Sequence, residues 1–580
     1  MKPNKSEWFE SRAPQAAIAV TLLGFLARLW TASGTFLNPD EALHFRLANQ
    51  PSLALAYKQS LTAAHPPLLT LLLYFWRALG TSELWLRLPS VLAGAVFCWM
   101  FYKWLSQAAG RLAGLIGLIF VALLPPIIMI AAELRQYSLL LAFLASALYF
   151  LDESFADNSI SGMAAFSICL YLAMLSHYSA FLFAAALGLY ALLRIFTNRP
   201  PARLIAAWAI GQCIGLALAL FLYKTHLSHL GTVESRTALQ SWMSEFYLHR
   251  LFFDPTHDNP LQFLVGHTFG VFQYFFGQLA VGDVMGLLFI VGVVLLFRGK
   301  SSPEDRTEYR TWSRPFVVFL LLPFAIAAAV SMAHVYPYGG TRHVAFLIIP
   351  AVAGVSVAIA RLAAERWRRG LATAALILTA CLAFGKARPP KMDRADQSHA
   401  NMMAAMDFVR QNMNPSELIF TDYQTDLILG HYLCQQRPIL VDPSLANFEQ
   451  FSCAGHRVVS ADYKTAWQFW ADDFPKHWQE LVQAYKLKPG DTVWIFQAGW
   501  RIDLSQELKK HYPEFHDTRF ESFGRNIAIF KMTVGQPMPA VEAGFGKGTS
   551  SLVPLSHSRH IRDLAPEAVF LLLGEFFRSR

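Results

Sequence analysis

Apolar stretches close to 20 residues long recur along this chain, and they limit its fold more than any other feature. They lie near residues 13–32, 85–103, 112–131, 138–151, 161–178, 180–195, 204–224, 281–298, 315–333, 343–361 and 370–386. About 20 apolar residues cross a hydrocarbon layer. No water is available there, so the backbone must satisfy its own hydrogen bonds, and each stretch reads as a transmembrane helix. Composition agrees: 54% of the 580 residues are hydrophobic and 15% are charged, against about 25% charged in a soluble domain. The first stretch follows Lys2, Lys5 and Arg12. A cleaved signal peptide is the rival reading, but the run is long and no small-residue cleavage site follows it, which favours an uncleaved span.

The net charge of +9 raises the question of nucleic acid. No basic run lies on a soluble segment, and excess Lys and Arg is what cytoplasmic loops of membrane proteins carry, so nucleic acid is excluded as a partner. The same rule orients the chain. With the N-terminus in the cytoplasm, Lys103 and Arg111 fall inside, as do Arg194, Arg199 and Arg203, then Arg298 and Lys300, then the cluster Arg361, Arg366, Arg368 and Arg369. Eleven spans then place the C-terminal region outside. Leu68–Leu79 is apolar but short, and counting it as a span would invert two of these clusters. It reads as an interfacial or re-entrant helix whose Tyr74, Phe75, Trp76 and Arg77 suit the headgroup level.

From about residue 387 the chain turns polar, with strand-like runs at Leu418–Phe420, Pro438–Val441, Val493–Phe496 and Ile527–Phe530 and helical patterns between them. The expected organisation is a membrane-embedded domain over 1–386, a small extracytoplasmic α/β domain over 387–535, and a tail over 536–580 with a short helix at Ala565–Phe577. The six cysteines show no metal-binding spacing. Cys98, Cys169, Cys213 and Cys381 fall in apolar runs. Cys434 and Cys453 lie in the polar region and can form a disulfide if that region is exported.

The loops expected outside hold the chemistry. The first carries Asn38-Pro39-Asp40-Glu41, His44, Arg46 and His65-Pro66-Pro67. Adjacent carboxylates at a membrane boundary are costly. They suit a base and a helper carboxylate for deprotonating a hydroxyl. Taken alone, the pair reads more simply as an N-cap, with Asp40 capping a helix that starts at Glu41. The second loop holds Glu133, Arg135 and Tyr137; its Arg fits phosphate oxygens, or pairs locally with Glu133. His177-Tyr178 forms a third turn. Residues 225–280 form a fourth loop, rich in His and including His226, Glu234, Arg236 and Tyr247. The fifth, Tyr336–His343, presents Arg342 to a lipid phosphate or as a positional anchor.

Taken in order, the Asp-Glu pair, His-Pro-Pro before an interfacial helix, Leu86-Arg87-Leu88-Pro89-Ser90, the Glu-x-Arg-x-Tyr-Ser-Leu stretch at Glu133–Leu139, His177-Tyr178 and Arg342 before an apolar span resemble the family 39-type GT-C glycosyltransferases. These include bacterial relatives of the dolichyl-phosphate-mannose protein mannosyltransferases and the aminoarabinose transferases of lipid A. The resemblance covers about residues 10–385. It implies an enzyme of the bacterial inner membrane that takes a sugar from a polyprenyl-phosphate donor on the outer face, by one inverting displacement. Its partners would be that donor, the bilayer, and an acceptor that is a protein, a lipid or a glycan. By position, Asp40 looks like the base and Glu41 its helper. His65 and Arg135 would contact the donor, Arg342 would hold its phosphate, and Tyr137, His177 and Tyr178 would join the substrate-binding set. A divalent cation would help such a reaction without being required. The aminoarabinose branch has Glu-Lys before its prolines where this chain has Ala64-His65, which speaks against the same donor. A secondary transporter is the rival from another class, but no repeat is visible and the ionisable residues gather at one boundary rather than at mid-membrane. A non-catalytic scaffold for envelope assembly is the second rival.

Overall fold

The computed structural model describes residues 5–228, 248–298, 313–363, 397–434, 448–461, 466–500, 504–512 and 514–535. The expected span at 370–386, the cations Lys300, Arg366, Arg368 and Arg369, Cys381, the loop residues Glu234, Arg236 and Tyr247, the run Pro438–Val441, and the tail over 536–580 with its short helix lie outside the described residues.

Among the described residues, eight helices are long and apolar enough to cross a membrane, or nine if a bent pair is one span, where the sequence suggested about eleven. Two differences account for the count. Ile160–Ser176 is apolar but has only 17 residues, and 370–386 is not described. The bundle begins with α1 (Lys5–Ser33), α2 (Pro39–Ala48), α3 (Leu53–Ser60), α4 (Leu68–Trp76), α5 (Glu83–Ala109), α6 (Arg111–Leu123), α7 (Pro125–Ala132), α8 (Tyr137–Asp157), α9 (Ile160–Ser176), α10 (Ala180–Asn198) and α11 (Ala202–Leu222). Helices Pro260–Phe276, Leu279–Arg298, Ser313–Met332 and Ile348–Ala363 follow among the described residues. With nine residues, α4 is about 13 Å long and too short to cross; it packs on α2 and α3 beside the bundle.

The bend of 59° between α6 and α7 has a local cause. Pro125 and Pro126 have no N–H, so the carbonyls of Val121 and Ala122 lose their helical donors. Arg28 of α1 replaces them: Nη2 donates to Val121 O at 2.6 Å and Nη1 to Ala122 O at 2.9 Å. A side chain from a neighbouring helix thus satisfies backbone groups that lipid cannot. Gly94 of α5 makes room, because a Cβ there would lie 2.8 Å from Arg28 Nε. At the far end of the bundle, Asp152 accepts from Arg194 at 2.6 Å, Tyr190 at 2.8 Å and Trp104 at 3.0 Å. Arg194, read above as a loop cation, is in fact fully buried in this network.

The C-terminal region forms a six-stranded mixed sheet in the order β2-β3-β1-β4-β6-β5. Its strands are β1 (Leu418–Thr421), β2 (Phe448–Cys453), β3 (His456–Ala461), β4 (Thr492–Ala498), β5 (Thr518–Ser522) and β6 (Ile527–Thr533). β1 pairs in parallel with β3 and β4, with Ile419 opposite Val458 and Trp494; the remaining pairs are antiparallel. Both faces of the sheet are covered. Ile419, Val458, Trp494, Phe496 and Ile529 join the core that runs into the bundle. Phe420, Val459, Ile495 and Phe530 pack under helices Phe474–Ala484 and Leu504–His511. That is why β1, β4 and β6 read as continuous apolar runs. β2, β3 and β5 carry polar residues, and the sequence did not reveal them. Cys434 and Cys453 are joined in a disulfide, with Cα atoms 4.8 Å apart, that ties β2 to the end of helix Tyr423–Tyr432.

This region is seated on the segment between α1 and α5. Phe36 N donates to Gln397 O, His399 N to Gly34 O, and Leu37 N to Tyr432 Oη, at 2.8–3.1 Å. Arg46 of α2 reaches Asp426 at 2.6 Å and Glu449 at 2.7 Å. At the end of β4, Gly499 lies so close to Pro39 that a Cβ on it would be 2.9 Å from the ring.

Candidate active site

The site is built on the first turn of α2. Asn38, not Asp40, is the N-cap: its side chain accepts from Glu41 N at 3.0 Å, and Glu41 Oε2 accepts from Asn38 N at 3.0 Å. This reciprocal capping corrects the expectation that Asp40 caps a helix starting at Glu41, and leaves the Asp40 side chain free of any cap duty. Glu41 is fully buried and heavily engaged: besides the cap, it accepts from Arg87 Nε at 2.7 Å, Arg87 Nη2 at 2.7 Å and Leu134 N at 2.8 Å. Arg87 also donates to the carbonyls of Ala32, Thr35 and Phe36. One buried ion pair therefore fastens α1, α2, α5 and the loop before α8 together.

Asp40, 1% exposed, faces two guanidiniums. Its Oδ2 accepts from Arg135 Nη1 at 2.7 Å and from Arg342 Nη2 at 2.8 Å. Arg342 Nη1 lies 3.9 Å from Glu133, so the local Glu133–Arg135 pair of the sequence reading gives way to pairing across loops. Arg135 sits over the ring of Tyr137, 5.8 Å from its centroid.

Beside this centre runs a wall of rings. His44 and His65 lie 5.7 Å apart by centroid, His65 stacks on His177 at 5.4 Å, and Tyr137 lies 5.2 Å from His177. His177 Nδ1 bonds Ser179 Oγ at 2.7 Å. Burial first, and then the nearby cations, hold the imidazoles neutral. His44 is driven well below its ordinary range by burial and then Arg135 and Arg342. His65 is driven down by burial, then His177 and Arg135. His177 falls to about 3 through burial and then Arg135. Several buried polar atoms here have no partner among the described residues: Asp40 Oδ1, both ring nitrogens of His65, His44 Nδ1, Arg135 Nε and Nη2, and Tyr137 Oη. Native interiors satisfy such atoms, and a polar ligand is what would satisfy these.

The structure thus gathers Asp40, His65, Arg135, Tyr137, His177 and Arg342 in one place, with Glu41 behind them. Tyr178 stands apart: its hydroxyl bonds His226, whose Nε2 bonds Ala63 O at 2.7 Å, so it tethers the fourth loop to the approach to His65. Sequence reading did not assign Arg87, His44 or Glu133 a place in the site, although Arg87 sat in a quoted motif. A cation inside an apolar run was the available signal. A divalent cation finds no fitting donor set: among the described residues no three His, Cys, Asp or Glu side chains converge as ligands, and Asp40 already faces two positive charges.

The polytopic helical bundle, with its mixed sheet seated over a buried acid–arginine centre, shares the fold of a solved glycosyltransferase of the GT-C type. Residues 64–229 match the family model of dolichyl-phosphate-mannose-protein mannosyltransferase. Among solved structures, the chain is similar to ArnT from Cupriavidus metallidurans in the apo state, with 13% identity over 91% of this chain and 100% of that one and a TM-score of 0.50. The same protein bound to undecaprenyl phosphate aligns at 13% identity over 93% of this chain and 100% of that one, with a TM-score of 0.47. The Archaeoglobus fulgidus oligosaccharyltransferase tethered with an acceptor peptide aligns at 10% identity over 85% of this chain and 70% of that one, with a TM-score of 0.45. No curated protein matches the chain.

Proposed function

We propose that this protein transfers a sugar from a polyprenyl-phosphate donor to an acceptor hydroxyl on the outer face of the bacterial inner membrane, with the N-terminus in the cytoplasm. The membrane-embedded part through about residue 386 carries the reaction, and the sheet region over 387–535 selects the acceptor. The observation that carries this reading is the sharing of one buried carboxylate oxygen, Asp40 Oδ2, by Arg135 and Arg342.

Two guanidiniums converging on one point match the oxygens of a phosphate better than they match a single carboxylate oxygen. A donor phosphate takes them over and releases Asp40, whose Oδ1 has no partner among the described residues. The freed carboxylate accepts the proton of the acceptor hydroxyl as that oxygen bonds to the anomeric carbon. The bond from that carbon to the phosphate oxygen breaks, inversion results, and polyprenyl phosphate leaves with one more negative charge, which Arg135 and Arg342 stabilise. Glu41, held by Arg87, Asn38 and Leu134, positions the α2 turn rather than touching substrate. Tyr178 positions the loop that bears His65.

The test is Asp40→Asn in purified protein with a polyprenyl-phosphate sugar. Transfer should fall by about 100-fold or more, with polyprenyl phosphate still bound. Transfer by the variant at the wild-type rate would refute Asp40 as base. Sidedness is tested by cysteines at positions 75 and 400, which should react with an impermeant reagent from outside only.

A further inference from the structure

The mechanism above makes no use of Arg46, the cation in the last turn of α2. We infer that Arg46 is a positioning residue: its clamp on Asp426 and Glu449 fixes the sheet region, and with it the docked acceptor, in register with Asp40. The inference rests on the acceptor role proposed for the sheet region and adds the means by which that region meets the base.

One short helix is tied to two bodies. Asp40 and Arg46 both lie on α2, which has 10 residues; they are about 9 Å apart along its axis and about 120° apart around it. The first turn belongs to the bundle, through Glu41 and Arg87, and there Asp40 meets Arg135 and Arg342. The last turn belongs to the sheet region. Arg46 Nη1 reaches Asp426 at 2.6 Å, Nη2 reaches Glu449 at 2.7 Å, and the guanidinium lies over Tyr423, 5.5 Å from the ring centroid. Phe45 meets His431 edge-on at 5.1 Å. The end of β4 comes back to α2 at Pro39, where a Cβ on Gly499 would lie 2.9 Å from the ring. The sheet region therefore borders the residue next to the base.

The chemistry of the contact suits a register. Apolar packing has no direction, so two packed surfaces can slide past each other. A planar guanidinium that gives separate nitrogens to separate carboxylates fixes an angle as well as a distance. The two carboxylates come from different elements, Asp426 from the first turn of helix Tyr423–Tyr432 and Glu449 from β2. Those elements are joined a second time at their other ends, where Cys434 lies just past the helix and Cys453 closes the strand in a disulfide. Arg46 thus grips a unit whose parts are already held together. Without it, the Glu449 charge would press on the Asp426 carboxylate, which has no exposed surface.

The experiment uses the full chain in nanodiscs and a deletion strain that expresses each variant, so that the cell supplies its own donor and acceptor. Arg46→Met keeps the length and packing of the side chain. Arg46→Lys keeps the charge but offers a point charge in place of the fork. Three quantities are read: binding of polyprenyl phosphate, hydrogen exchange along α2, and the initial rate at which the envelope glycan missing from the deletion strain reappears. Arg46→Met should bind polyprenyl phosphate as the wild type does, because Arg135 and Arg342 are untouched. Exchange should rise about tenfold at Phe45–Ala48, where charged hydrogen bonds are lost, and stay unchanged at Glu41 and Ala42. The glycan should form about 100-fold more slowly, the effect of a displacement of about 1 Å between reacting groups, and Arg46→Lys should recover part of that rate. A wild-type glycan rate in Arg46→Met would overturn the inference whatever the exchange, since the contact would then be structural only. So would a loss of polyprenyl phosphate binding as large as the loss of rate, which would make Arg46 part of the donor site or of the fold at large. The glycosyltransferase reading fails separately, on the wild type: no binding of polyprenyl phosphate, and no envelope glycan lost on deletion, would refute it and the positioning role with it.

Discussion

Replacing Arg87 with methionine keeps most of the volume and apolar reach of the side chain but removes five hydrogen bonds, two to Glu41 at 2.7 Å and three to the carbonyls of Ala32, Thr35 and Phe36 at 2.8–2.9 Å. Glu41 has no exposed surface, so its carboxylate would remain buried without its guanidinium, keeping the N–H groups of Asn38 and Leu134. Removing one partner of a buried pair costs about 3–5 kcal/mol, because the other charge is left uncompensated. The loss belongs to the charge and not to the shape, so Arg87→Met with Glu41→Gln should recover much of it. The coupling in the double-mutant cycle should be about 2–3 kcal/mol. Equilibrium unfolding of the purified protein in mixed micelles, followed by tryptophan fluorescence, measures all four corners of the cycle. A cost under about 1 kcal/mol for Arg87→Met, or a double variant no more stable than the single one, would refute the claim that this pair fastens α1, α2 and α5 together.

Arg28→Leu removes the guanidinium donors from the carbonyls of Val121 and Ala122 inside the span and leaves Val121 O the weak Cys98 thiol at 3.7 Å; under-satisfied carbonyls cost several kcal/mol in hydrocarbon, so lower thermal stability is expected, and an unchanged melting temperature would remove Arg28 from the account of the bend. Cys434→Ser with Cys453→Ser opens a loop of sequence separation 19 and should cost about 3 kcal/mol, seen as earlier unfolding that reductant reproduces in the wild type but not in the variant. Burial lifts the Asp422 carboxyl from 3.8 to about 6 against the bonds from Thr425 and Phe469 that favour its charged form. Its contribution is therefore full below about pH 4 and lost as pH rises through 6, and Asp422→Asn, which can still accept from Thr425 N, should flatten the pH dependence of stability across that window.

The sequence by itself determined that this chain lives in a membrane, because runs near 20 apolar residues leave few alternatives. It located three of the most apolar strands, at Leu418–Phe420, Val493–Phe496 and Ile527–Phe530, and its motif order pointed to the GT-C type whose fold the chain shares. It also named His65, Arg135, Tyr137, His177 and Arg342, which meet around Asp40, since each belongs to a short local motif at the same end of a span, but it gave His44 and Glu133 no place there and counted Tyr178, which stands apart. Distance in sequence hid their relations. Only the tertiary structure decided that Asn38 caps α2 and leaves Asp40 to Arg135 and Arg342, and that Glu41 answers to Arg87. It alone showed that Arg194 pairs with Asp152 inside the bundle and that β2, β3 and β5 complete the sheet. A buried charge is matched across the fold, here by partners 302 residues apart, Asp40 and Arg342, and no local pattern records such a pairing. The Asp40–Glu41 pair shows this most clearly. Two adjacent carboxylates look alike in sequence, but successive helical positions point in different directions, so the fold gives one to a structural arginine and the other to the site.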